Sequence, residues 1–158
     1  MKLKIHDHFR GIARVALLTL LACFTLPAQY KPSSTCKFLT PDEAVAVIGP
    51  GAKLISAIQD GACTYSRGPL TLTVAQPARI ADRNVLQLAF ESSGRGEKTR
   101  PVAGVGDRAH IKKQNSGYQL MFLKGNVMGG VEVYGEGSDG APMGDKLIAA
   151  AKKVTGRL

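Results

Sequence analysis

The spacing of apolar residues changes period several times along this chain, and each change marks an element. At 70–74, Leu70, Leu72 and Val74 alternate with Thr71 and Thr73, which predicts a strand with one apolar and one hydroxyl face. Weaker strand signals precede it at 53–58 and 63–67, separated by Asp60-Gly61 and closed by Gly68-Pro69. Over 78–92 the spacing becomes helical: Ala81, Val85, Leu88 and Ala89 form a stripe that Leu86 and Phe90 widen. Ser92-Ser93-Gly94 ends that helix, and a polar, basic loop runs on to Pro101. Three more strands are predicted at 109–114, 118–124 and 127–134, with Asn115-Ser116-Gly117 and Gly125-Asn126 as turns.

Two further helices bracket this core. Thr40-Pro41-Asp42-Glu43 supplies an N-cap, a first-turn proline and the acid of a capping box, and Gly49-Pro50-Gly51 stops the helix. Met143, Leu147, Ala151, Val154 and Leu158 share one face of a C-terminal helix whose last turns carry Lys152 and Lys153. The order α-βββ-α-βββ-α predicts an α+β fold with an antiparallel sheet of about six strands, arranged as two three-strand meanders. Helices are expected on one sheet face, with the other partly open to water. A weak repeat at an offset of 57 aligns the meanders: Tyr65 answers Phe122, Arg67-Gly68 answers Lys124-Gly125, and Val74 answers Val131.

The first 28 residues read differently. Lys2, Lys4, Arg10 and Arg14 form a basic leader before an uncharged apolar run at 15–26, and Ala28 offers a cleavage position. That run is shorter than the roughly 20 residues a membrane-spanning helix needs. An export signal at 1–28, a polar tether at 29–35 and one α+β domain at 36–158 follow, with periplasmic or secreted localisation. Leu20-Leu21-Ala22-Cys23 resembles a lipobox, so acylation at Cys23, giving a membrane-anchored lipoprotein, is the alternative to soluble release. Either route leaves Cys36 and Cys63 as an even pair in an oxidising compartment, which reads as a disulfide.

Catalytic and metal chemistry find little support. Gly104-Val105-Gly106-Asp107-Arg108-Ala109 matches a dinucleotide fingerprint, but no buried strand precedes it and no helix follows. A tight turn leading into an edge strand fits better. His110 is the one histidine after residue 28, and its strand pattern places it with Lys112 and Gln114 on an exposed face. One histidine and two paired cysteines are too few for a zinc or copper site, and no catalytic residue, metal or cofactor is expected.

Charge changes the picture more. The whole chain carries a net +9, and nine Lys/Arg against four acids fall within 77–124. Arg95, Lys98, Arg100, Arg108 and Lys112 are the candidate surface for an anion or an acidic partner. A merely solvated basic face is the alternative. Nucleic acid is not expected, since export separates the chain from it and the basic stretch has few aromatics to stack on bases.

Cys36-x-x-Leu39-Thr40, Gly49, Gly61-x-Cys63-x-Tyr65, Val105-Gly106-Asp107-x-Ala109 and Leu123-Lys124-Gly125 together resemble a family of small exported bacterial proteins and lipoproteins of unknown function, best represented among actinobacterial lipoproteins. The resemblance covers about residues 36–155. It implies a paired Cys36 and Cys63 and a PsbP-like α+β sandwich, and no catalytic residues. The function expected is a non-enzymatic envelope module that binds a protein or anionic ligand through an open sheet face or basic loop. A periplasmic inhibitor or immunity-type protein, and an enzyme with an unrecognised Ser, Asp or Glu site, are the alternatives.

Overall fold

The computed structural model describes residues 35–58, 61–96 and 98–158. The segment expected to be an export signal, most of the expected tether, Cys23, Gln59, Asp60 and Glu97 lie outside the described residues.

Thr40 caps α1 (Pro41–Ile48) as its sequence requires: its hydroxyl accepts from the Glu43 N–H while the Glu43 carboxylate accepts from the Thr40 N–H. Three strands follow, β1 (Lys53–Ala57), β2 (Cys63–Arg67) and β3 (Leu70–Arg79), then α2 (Arg83–Ser93). The second half holds β4 (Thr99–Pro101), β5 (Arg108–Gln114), β6 (Gly117–Lys124), β7 (Val127–Tyr134) and α3 (Ala141–Gly156). The architecture is α+β with one antiparallel sheet, and it has seven strands in the order β1-β2-β3-β7-β6-β5-β4. The extra strand, β4, lies where a basic loop is expected. Three residues ending in proline carry no alternation to detect, and only pairing with β5 defines them.

The meanders join through β3 and β7, and the register places Val74 opposite Val131, its equivalent at the 57-residue offset. The same offset carries β1 into β5, β2 into β6 and α2 into α3. Pairing of equivalent residues across antiparallel strands is what a local two-fold axis normal to the sheet produces. The strands β1–β3 and β5–β7 keep that symmetry; β4 and the helices break it. Both α1 and α3 cover one sheet face, enclosing Tyr65, Leu72, Val74, Phe122, Val131 and Val133 in the main core. On the opposite face α2 packs Leu86 and Phe90 against Leu123, Met121 and Met128.

This placement corrects the expectation that helices share one face. It also corrects the helix itself. Strand β3 continues to Arg79, past an irregularity in its register between Ala75 and Ala78, so α2 starts only after its N-cap, Asp82. Leu86 and Phe90 face the sheet, while Val85 and Leu88 remain 53% and 63% exposed. A stripe wide enough to look apolar all along is half used.

The disulfide between Cys36 and Cys63 is present and ties the segment before α1 to β2. Nearby, the Tyr65 hydroxyl donates to the Leu39 carbonyl at 2.6 Å. Arg157, at the end of α3, donates through both terminal nitrogens to the Glu43 carboxylate at 2.7 Å and to the Phe38 carbonyl. No helix among the described residues is long and apolar enough to cross a membrane.

Candidate functional site

Beyond the edge of α2 the open sheet face is polar. One cross-strand row runs Ser56, Thr64, Thr73 and Glu132, then continues through Gln119 and Lys112 to Thr99 on the edge strand. Its members satisfy one another: Thr64 bonds Thr73 at 3.3 Å, and Glu132 accepts from Gln119 and from the Tyr134 hydroxyl. The row ends at a residue that is not satisfied. Thr99 Oγ1 is buried and has no hydrogen-bond partner among the described residues.

Thr99 lines a cleft of about 600 Å3 between the C-terminal half of α2 and the β4–β5 end of the sheet. Phe90, Gly94, Arg100, Arg108 and His110 also line it, together with the acids Glu91 and Asp107. The Asp107 turn is fixed at both ends. Its N–H donates to the Leu123 carbonyl at 2.7 Å, and its carboxylate accepts from the Gly125 N–H at 2.6 Å. The fingerprint-like glycines are thus part of a turn. The strand it feeds, β5, is not an edge, because β4 covers it.

His110 is 7% exposed, not solvent-facing as alternation alone predicts, because α2 lies over its face of the sheet. Its ring centroid is 4.6 Å from that of Phe90, and Nε2 is 3.3 Å from Ser93 Oγ. Ser93 commits its single hydroxyl hydrogen to the Phe90 carbonyl at 2.7 Å, so Oγ accepts from an Nε2–H. That arrangement is the wrong polarity for a nucleophile and its base. Burial pushes the imidazole below its ordinary pKa of 6.5; the Ser93 backbone carbonyl opposes this, while Arg108 and Lys112 add to it. Near neutral pH the ring is a neutral polar group. Gly94 makes room for it, since a Cβ there would lie 3.1 Å from Nδ1.

Arg108 is preorganised. Its guanidinium lies 5.1 Å from the Phe90 ring centroid, and Nη1 donates to Gln87 Oε1 at 3.0 Å. Lys112 is tied back to the loop, donating from Nζ to the Arg95 carbonyl at 3.2 Å. Of the five basic residues singled out from sequence, Arg100 and Arg108 line this cleft, and Lys112 sits behind Thr99 in the polar row. Arg95 follows α2 in the loop. Lys98, with Arg100, lines a second cleft on the α3 side of the sheet. The five therefore flank one sheet edge and do not form one patch.

Thr99 and Ser93 escape a search of the sequence: a lone threonine in a basic loop and a serine at a helix end carry no spacing signal. Phe90 shows in the helical stripe, but only as core. Among the described residues no cluster of three metal-ligating side chains occurs. No family model, curated protein or solved structure matches the chain.

Proposed function

We propose that this chain is an exported, non-enzymatic binding module of the kind its resemblance to small envelope proteins implies, and that it takes an oxyanion into the cleft beside β4. Export rests on the N-terminal signal pattern, and the Cys36–Cys63 disulfide is consistent with it. The observation that carries the binding site is a cleft that presents Arg108 and Arg100 and has in its wall Thr99, whose buried hydroxyl is without a partner among the described residues. An unpaired buried hydroxyl costs about 1–3 kcal/mol, a penalty relieved when a small shift of the cleft wall lets a ligand oxygen reach it. Arg108, held over Phe90 and by Gln87, gives such an oxygen a charged donor at little further loss of side-chain freedom.

Titration of the whole exported domain with orthophosphate and with acetate, followed by calorimetry, tests this. Saturable binding of either anion is expected, and which one binds tells phosphate from carboxylate. Arg108→Ala should weaken it at least about tenfold, the equivalent of about 1.4 kcal/mol. Thr99→Val, which keeps shape and removes the hydroxyl, should weaken it less. No saturable binding, or equal binding by Arg108→Ala, overturns the proposal.

A further inference from the structure

We propose that the ligand is a linear polyanion which bends around the β4 edge, engaging a second cleft through Lys98, Arg100 and Lys113. This rests on the oxyanion site above and goes further, by naming the class of molecule. The second cleft, about 490 Å3, lies on the opposite sheet face and is also lined by Ile111, Tyr118 and the first turn of α3. Its three cations are exposed, and none has a carboxylate within ion-pair distance among the described residues; Asp145 lines the same cleft unpaired.

Arg100 borders both clefts. Two separate anions would therefore compete for one guanidinium and repel each other. A single chain avoids this, because binding of its second segment becomes intramolecular. The edge between the clefts also favours a side-chain-bound polymer over a peptide strand. Lys98 O accepts from the Lys113 N–H and Val102 N–H donates to the Ala109 carbonyl, so these alternate residues bond inward to β5. Of the two residues facing outward, Thr99 spends its N–H on the Gly96 carbonyl and Pro101 has none. No outward backbone donor remains in β4 for a strand to pair with. Nucleobase stacking is not offered either: the Phe90 ring is covered by Arg108 and His110, and the Tyr118 ring packs beside Gly144. A flexible chain of phosphate or sulfate groups fits what remains.

The test compares orthophosphate, tripolyphosphate and long-chain polyphosphate on the exported domain at two salt concentrations. Wild type should bind the long chain at least about tenfold more tightly per chain than tripolyphosphate. The double variant Lys98→Gln/Lys113→Gln should lose that gain while keeping the component of orthophosphate binding that Arg108→Ala weakens. Its salt dependence should be shallower by about 1.4 in log–log slope, for two lost phosphate contacts. Circular dichroism melts establish that the variant is folded. If orthophosphate binds but chain length or the double variant makes no difference, the polyanion inference fails and the single site stands. If orthophosphate does not bind, the single-site reading has failed. A single-stranded oligonucleotide of matched charge binding as tightly as polyphosphate would overturn the choice of ligand class.

Discussion

Residues 53–79 and 110–136 follow the same three-strand path, yet the first meander is dry on one face only, whereas part of the second's reverse face is dry as well. In the first, Tyr65, Leu72 and Val74 face the core while Thr64, Thr71 and Thr73 meet solvent. In the second, Phe122 and Val131 face that same core, while Met121, Leu123 and Met128 on the reverse lie under α2. Swinging one helix to the opposite face converts a strand histidine into a buried group and leaves a cleft where the helix ends. Repetition of strands thus supplies the scaffold, and the broken symmetry of the helices supplies the site.

The largest difference between the halves is expected at the two equivalent aromatic positions. Phe122→Ala should cost about 3–5 kcal/mol in chemical denaturation, because a fully buried ring leaves a cavity at the sheet centre. Tyr65→Phe keeps the ring and should cost about 1–2 kcal/mol by orphaning the Leu39 carbonyl. Equal losses would show that the ring at 122 is not the anchor this packing implies.

Next comes the staple that only the first half possesses. Replacing Cys36 and Cys63 together with Ala should remove about 3.5 kcal/mol, the chain-entropy value for a loop of this length. An unchanged denaturation midpoint would mean that the second half alone sets stability.

Gly49 and Gly106 also occupy equivalent positions, both with positive φ. A Cβ at Gly106 would lie 2.2 Å from the Leu123 carbonyl oxygen, whereas one at Gly49 meets the guanidinium of Arg67, which can move. Gly106→Ala should therefore cost about 3 kcal/mol or more, and Gly49→Ala, where φ 96° and ψ 174° suit glycine alone, about 2 kcal/mol. The reverse ranking would contradict the tight docking of the Asp107 turn.

The smallest effects are pH-dependent and set in at different pH. Arg157 first of all, and the Thr40 N–H, hold the Glu43 carboxyl at about 2 against an ordinary 4.5, with burial opposing. Its contribution, below about 1 kcal/mol for a partly exposed pair, is complete above 4.5 and fades as pH falls toward 2. Glu43→Gln should flatten stability across that window. His110 acts in the same sense at higher pH: its folded pKa lies below 6.5, so the unfolded chain binds the extra proton. Stability is then full above 6.5 and declines as pH drops below it, and His110→Asn should remove that slope.

Much of this fold is legible locally. The box formed by Thr40 and Glu43, the alternation at 70–74 and the turns at Gly68 and Gly125 act through neighbours a few residues away. The strand β4 is not, because Thr99, Arg100 and Pro101 become a strand only by meeting Lys112, Ile111 and His110. The candidate site divides similarly: Arg100 and Arg108 stand out by charge, while Thr99 matters only because its oxygen is enclosed without a partner.

Short-range patterns in the chain set the antiparallel α+β class, the approximate two-part plan, and the cysteines available for pairing. Hydrophobic period, turn chemistry and residue count are properties of short segments. Tertiary structure decided which sheet face each helix covers, and with it the burial of His110, the exposure of Val85 and Leu88, and the position of both clefts. An amphipathic helix specifies that one stripe must be buried. Which surface buries it is settled only when the sheet, with apolar residues on both faces of its second half, offers α2 a place that α1 and α3 leave free.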